Sequence, residues 1–258
     1  MRQFSREEII ERLRKRIEKQ EPIVVCGAGT GLFAQTAENE KADLILANAK
    51  ANALINGLSG EECMLPYQDV NEVCGELARH LLPVLSDTPV VAGIGPYNPY
   101  INADRLIRST KSLGYSGVLN SPSSSGCSPD LKKNCFQSEV ELIRKAKEEN
   151  IFSMAAAKTP EEIEYMYEAG ADVIVIRSDG EVEDLDRYID CQRQLAAIVH
   201  QLSGDIILLA DIGRITDTEA IQRLLTETKA SGIVSEEAVG SLAVQKEMGK
   251  TLKEIINH

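Results

Sequence analysis

Apolar residues along this chain follow two alternating rhythms. Short unbroken runs stand at Ile23–Cys26, Asp43–Ala47, Pro89–Gly93, Gly117–Leu119, Ile151–Met154, Asp172–Ile176, Ile206–Ala210 and Gly232–Val234. Between them lie segments whose apolar positions recur every three or four residues: Leu32–Glu38, Asn71–Leu82, Ala103–Leu113, Ser138–Glu149, Pro160–Ala169, Val182–Leu202, Thr216–Thr226 and Val239–Ile256. The first rhythm predicts buried strands and the second predicts helices with one buried face. In Ser138–Glu149 the buried stripe is Val140, Leu142, Ile143 and Ala146, and Thr159 with Glu162 forms a capping box ahead of Pro160–Ala169. An amphipathic stretch, "MRQFSREEIIERLRKRIEKQ", comes before all of this, with Ile9, Ile10, Leu13 and Ile17 on one face.

Eight strand–helix units within 258 residues predict an α/β fold, a closed (β/α)8 TIM barrel with an extra amino-terminal helix, rather than an open doubly wound sheet. The expected division is a helix over residues 1–21 and a barrel over 22–258, with no linker or low-complexity tract between them. The two longest irregular stretches, Asn48–Gln68 and Ser121–Gln137, both follow strands. That places them at the carboxyl end of the barrel, where active sites of this fold sit.

The first strand runs through "IVVCGAGTGLF" into a helix, as nucleotide-binding folds do. A dinucleotide fingerprint needs a third glycine where Leu32 stands, and an acid at the end of the second strand, where Asn48 and Ala49 stand. No NAD site is expected. The glycines Gly27 and Gly29, with Thr30, either bind an anion through backbone N–H groups or permit tight strand–helix packing.

Charge and cysteine usage narrow the partners. A net charge of −12 argues against nucleic acid and anionic membranes. No segment reaches the ~18 unbroken apolar residues of a membrane span. The first twenty residues are too charged for a secretory leader, so a cytoplasmic address is expected. The six cysteines show no C-x-x-C pair, so neither zinc nor c-type haem spacing is present, and reduced thiols are expected, with Cys127 the most exposed.

Chemistry then falls to polar residues at strand ends. These are Gly27, Gly29 and Thr30; Asn48 and Lys50; Tyr67, Asp69 and Asn71 in "LPYQDVN"; Asn98 in "GIGPYNPY"; and Asn120 with Ser123, Ser124 and Ser125. Further along come Lys158, then Arg177, Ser178 and Asp179, then Asp211, Arg214 and Thr216, and finally Ser235, Glu236 and Glu237. His80 and His200 fall in helices and His258 is the last residue, so a general base is a carboxylate, lysine or tyrosine, or a metal-bound water. Asp211 either caps the following turn and pairs with Arg214 or serves chemistry. Glu236 and Glu237 either cap the last helix or join Asp211 around a hard cation, Mg²⁺ or Mn²⁺. Asn98 and Asn120 either orient a substrate acid or bond their own turns.

Several stretches together resemble the phosphoenolpyruvate hydrolase-like family of TIM-barrel proteins. "GAGTGLFAQTAENEKADLI" is similar to its first βα unit, "LPYQDVN" to its L-P-Y-G-D-A-N, "LPVLSDTPVVAGI" to its L-P-V-x-x-x-T-P-V-L-A-G-V, and "GYSGVLNSP" to its G-F-x-G-V-Q-N-F-P. "EAGADVIV" matches the entry to the sixth strand, a stretch found in many barrels. The resemblance runs from about Pro22 onward. Gly27, Gly29, Gly31, Tyr67, Asp69, Asn71, Gly93, Asn120 and Pro122 keep the family pattern. The mouth departs from it in three places. The Y-N-S-G-R after strand two is Asn48 to Asn52 here, H-M-G-L-T-T-G-G after strand six is "RSDGEVED", and H-G-G after strand seven is "DIG".

The resemblance implies a lyase or hydrolase of a small oxo acid or phospho acid, a divalent cation, and a homo-oligomer. In that reading Asp211 or Glu236 holds the cation, Asn120 and Arg177 orient the acid, and Lys50 transfers a proton. Two alternatives stand beside it: a non-catalytic barrel that binds a metabolite or protein partner, and a sugar-phosphate isomerase or synthase, which the acidic turn after strand eight disfavours.

Overall fold

A computed structural model describes residues 2–58, 69–98, 100–121, 129–177, 184–202 and 206–257. Its eight strands are β1 (Ile23–Gly27), β2 (Leu44–Ala47), β3 (Val90–Ile94), β4 (Gly117–Asn120), β5 (Phe152–Ala157), β6 (Val173–Ile176), β7 (Ile207–Asp211) and β8 (Gly232–Ser235). All pair in parallel in chain order and β8 closes on β1, with Val25 opposite both Leu44 and Val234. The expected TIM barrel is present, and each strand overlaps the apolar run that predicted it.

Alternation along the strands divides the core into an inside and an outside. Inward residues such as Val25, Leu46, Leu119, Met154, Val175, Leu209 and Val234 form the barrel interior. Outward residues pack under the helices in two clusters, one around Ile45, Ala92 and Val118 and the other around Ala155, Ile174 and Leu208. The helices that cover them are α2 (Gly31–Asn39), α3 (Ala49–Ile55), α4 (Val70–Leu81), α5 (Ala103–Ser112), α6 (Pro129–Glu148), α7 (Pro160–Glu168), α8 (Leu185–Val199) and α9 (Thr218–Thr228).

The leading helix, α1 (Arg6–Glu18), starts on a capping box between Ser5 and Glu8 and closes the amino end of the barrel. Phe4, Ile9 and Leu13 join the interior core there, while Ile17 is left exposed. Arg6 ties the helix down through a bidentate bond to Asp172, just before β6, at 2.5 to 3.0 Å.

Three elements depart from the sequence expectation. Helix α3 stands in a stretch read as irregular, started by Asn48, whose side chain caps it. Helix α6 begins at Pro129 rather than Ser138, because its first two turns carry lysines and few apolar residues to mark a period. The last expected helix divides into a π-turn segment, Ala238–Leu242, and α10 (Ala243–Ile256). At α7 the Thr159 hydroxyl accepts from the Glu162 N–H as expected, but the Glu162 carboxylate accepts from Lys158 N–H instead of completing the box. Cys26 and Cys74 are buried free thiols, pushed by burial up to about 11 and about 12, which leaves both protonated at neutral pH.

Candidate functional site

The same alternation that fills the interior builds the site two residues further along. Inward positions read Leu44, Leu46, Asn48 on β2; Val173, Val175, Arg177 on β6; Ile207, Leu209, Asp211 on β7; and Gly232, Val234, Glu236 on β8. Four polar side chains therefore converge above the last apolar layer, at the carboxyl end.

Glu236 is the centre of this cluster and is buried. Its Oε1 accepts from Asn48 Nδ2 at 2.5 Å and from Arg177 Nη2 at 3.3 Å, and its Oε2 lies 3.1 Å from Lys50 Nζ. Arg177 Nε lies 3.2 Å from Asp211 Oδ2, while Asp211 Oδ1 accepts from the Gly213 N–H at 2.9 Å. Asn48 Oδ1 accepts from the Ala51 N–H at 2.7 Å, which starts α3 and turns Nδ2 toward Glu236. Lys50 then stands in the first turn of α3, beside the same carboxylate. From α8, the Tyr188 hydroxyl and the Gln192 amide both donate to the Asp211 carbonyl, at 2.7 and 2.6 Å, and fix the end of β7.

Gly27 explains how β2 reaches β8 across the strand between them. It occupies the inward position of β1, where a side-chain carbon would lie 2.9 Å from Glu236 Cα. Gly29 is closed in the same way, since a side chain there would meet the Ala51 carbonyl oxygen at 2.4 Å. The glycine-rich turn is a close-packing device: it lets α3 and Glu236 approach β1.

The charges hold one another. Burial pushes the Glu236 carboxyl up, but Arg177 and Lys50 outweigh it and hold it at about 2. Glu236 raises the Lys50 ammonium against the opposing effect of burial. Burial likewise works against the Arg177 guanidinium, and Glu236 and Asp211 overcome it. Lys50 is therefore a charged donor, not a resting proton acceptor. Arg177 Nε and Glu236 Oε2 lie at ion-pair distance from their partners without hydrogen-bond alignment, so charge rather than saturated bonding fixes those two contacts.

The other expected residues lie elsewhere. Asn120 is on the outward face of β4, where Oδ1 accepts from the Ala156 N–H at 2.7 Å and Nδ2 donates to Glu139 Oε2 on α6, also at 2.7 Å. Thr30 caps α2, Asp69 caps α4 and accepts from the Asn71 N–H, and Asn98 accepts from the Tyr100 N–H within its own turn. Arg214 pairs with Glu237 at 3.1 Å on the rim, with its side chain more than half exposed. Tyr67, Ser123, Ser124, Ser125, Ser178, Asp179 and Cys127 lie outside the described residues.

Another buried acid, away from the mouth cluster, was missed by sequence reasoning. Glu139, on α6, bonds both Asn120 and the hydroxyl of Tyr97, which follows β3. Its signal is in the chain: Glu139 stands at the head of the stripe formed with Leu142, Ile143 and Ala146, a carboxylate in a row of buried apolar positions.

A divalent cation does not fit the carboxylates expected to hold one. Glu236 faces two protein cations, Asp211 shares one of them, and Glu237 pairs with Arg214. Among the described residues no three His, Cys, Asp or Glu side chains converge as a metal set. No described helix is long and apolar enough to cross a membrane.

Known proteins match this chain at three levels. The phosphoenolpyruvate hydrolase-like family matches over residues 8–257. The ToMV susceptible protein tm-1(GCR26) of Solanum lycopersicum is 27% identical over 262 aligned residues, which cover 95% of this chain and 35% of that protein. The chain thus spans about a third of that relative. Among solved structures, a phosphonopyruvate hydrolase in complex with oxalate and Mg²⁺ superposes with a TM-score of 0.62 at 16% identity, covering 96% of this chain and 86% of that one. A 2,3-dimethylmalate lyase, a member of the PEP mutase/isocitrate lyase superfamily, gives 0.62 at 17% identity, covering 98% and 88%. At those identities the likeness is one of fold.

Proposed function

Because this chain belongs to the phosphoenolpyruvate hydrolase-like family, we propose that it is a lyase or hydrolase acting on a small oxo acid or phospho acid at the cluster around Glu236. The observation that carries this reading is the pair of cations, Lys50 and Arg177, held charged at the mouth by buried carboxylates. Breaking a C–C bond next to a carbonyl leaves an enolate, with negative charge on the oxo oxygen, and breaking a C–O(P) bond leaves the negative charge on the departing phosphate. A fixed cation in a poorly solvated site stabilises that charge far more than water does. Lys50, the more accessible of the two, meets the acid; Arg177 adds positive potential from beneath it. Glu236 keeps Lys50 protonated and aimed, and Tyr188 and Gln192 position Asp211, which in turn holds Arg177. The oxalate in the phosphonopyruvate hydrolase structure is an acid of this size.

The test is turnover of a panel of oxo and phospho acids, alongside heat stability with added oxalate, each with Mg²⁺, with Mn²⁺ and with a chelator. Turnover that survives chelation and falls by about 10²–10³-fold in Lys50→Met is the expected result. Turnover that needs the added cation would move the metal to ligands other than the paired carboxylates. Oxalate binding with no turnover supports the non-catalytic barrel. Neither binding nor turnover under any condition overturns both readings.

A further inference from the structure

The inward positions past the last apolar layer continue around the barrel beyond the four residues already placed. On β3 that position is Gly93, where a side-chain carbon would lie 2.5 Å from Asn48 Cβ and 3.0 Å from Ser121 Cβ. Ser121 takes it on β4, two residues after inward Leu119, and is buried. The register of β5 carries it to Lys158, two residues after inward Ala156. The mouth is therefore a ring built from every strand, and its glycines draw the polar residues together across β1 and β3.

The charges of that ring nearly cancel. Lys50, Lys158 and Arg177 stand with Asp211 and Glu236, three cations against two carboxylates, so one positive charge is left over. Burial works against the Glu236 carboxylate, but Arg177 and Lys50 hold its carboxyl at about 2, so it stays ionised. Arg214 and Glu237, the next pair outward, cancel. The segments that follow strands two, four and six, residues 59–68, 122–128 and 178–183, contain five acids and no Lys, Arg or His. Any charge they bring is negative. The surplus that these residues offer a ligand is thus at most one positive charge.

That surplus bears on which acid fits. A carboxylate that reaches Lys50 meets an ammonium already facing Glu236, and it neutralises the surplus of the ring. A second negative charge on the same ligand has no match, and a charge left unmatched in a poorly solvated cleft is costly. A divalent cation would supply the match, but the carboxylates that would hold it face Lys50, Arg177 and Arg214 instead. We infer that the mouth selects oxo acids with a single negative charge and discriminates against dicarboxylates and phospho acids. A phosphate alone brings about −1.5 to −2 at neutral pH, before the carboxylate of the same ligand is counted. This selection rests on the cluster binding an acid, as proposed above, and of the two classes named there it favours the oxo acids.

Oxalate and oxamate test charge by itself, because they match in size and oxamate carries a neutral amide in place of one carboxylate. Calorimetry measures both dissociation constants at neutral pH with a chelator present. Wild type is expected to bind oxamate roughly tenfold tighter than oxalate, or more. Glu236→Gln takes one negative charge out of the ring, and there oxalate is expected to be the tighter ligand. Glu237→Gln leaves Arg214 unmatched at the rim and is expected to narrow the oxamate preference. It carries the test if circular dichroism shows that Glu236→Gln does not fold. Wild type that binds oxalate as tightly as oxamate overturns the selection and leaves acid binding standing. An oxamate preference that neither variant narrows also overturns it, because the amide, not the charge, is then what the site reads. No binding of either ligand overturns acid binding at the cluster, and the selection with it.

Discussion

At its amino end the barrel is shut by α1, which drives Phe4, Ile9 and Leu13 into the interior core. At the opposite end the interior terminates in Asn48, Arg177, Asp211 and Glu236, all buried or nearly so and all tied to one another. Both ends bury their side chains, but by different physics. A fully buried leucine or isoleucine stabilises by about 1.5–3 kcal/mol. A buried ion pair roughly breaks even, because desolvation consumes most of the Coulombic gain. The amino end therefore holds the fold together, and the carboxyl end holds charge in place. Even the ion pair of Arg6 with Asp172 at the amino end serves to fasten an apolar plug.

That contrast can be broken by mutation, starting where the effect is greatest. Glu236→Gln leaves Lys50 and Arg177 without their shared counterion and is expected to cost about 3–5 kcal/mol in urea unfolding, the usual cost of breaking a buried pair. If the cluster is an anion site, added oxalate recovers part of that loss in the variant. Leu13→Ala empties part of the amino-end plug and is expected to cost about 2–5 kcal/mol, with oxalate affinity unchanged. A shared effect on stability with different effects on ligand binding is what separates the two ends.

Acid should discriminate them as well. The Glu236 carboxyl is held at about 2 in the folded chain, below its ordinary 4.5. Its contribution to stability is therefore complete above about pH 4.5 and is lost as pH falls toward 2, amounting to about 3 kcal/mol. Lys50 is shifted the other way, upward, so its contribution is complete below its ordinary 10.5 and fades only as pH rises above that value. Unfolding measured from pH 6 down to pH 2 should show the steep acid loss in wild type and Leu13→Ala, and a shallower one in Glu236→Gln. The smallest effect belongs to the local caps. Asp69→Ala removes the cap of α4 and is expected to cost about 1 kcal/mol with no change in oxalate binding. A large loss of binding there would bring Asp69 into the mouth and undo the separation between capping and site residues.

Much of this architecture is written in the chain as local pattern. Apolar runs mark eight strands because each is buried on both faces and needs no polar alternation. The strand-end residues Asn48, Lys50, Arg177, Asp211 and Glu236 stand out because they follow directly on those runs. Helix α3 did not stand out: its alanines, single asparagine and single lysine carry no clear period, and its cap, Asn48, is also a site residue. Glu139 escaped notice because a single acid in an amphipathic helix looks like solvated surface until the helix is docked.

Sequence determined the barrel, the inward parity of the site residues and the glycines that mark close approach, since all of these follow from spacings of two or from the absence of a side chain. Tertiary structure decided the partners. Barrel closure brings β2, β6, β7 and β8 to one centre, so that residues 188 positions apart, Asn48 and Glu236, share a hydrogen bond. It also turned Asn120 toward α6 instead of the mouth, because one step in parity on a strand reverses the direction of a side chain. Closure likewise left α10 off the barrel. A helix's own pattern says that it has an apolar face, but only the packed fold says what covers that face.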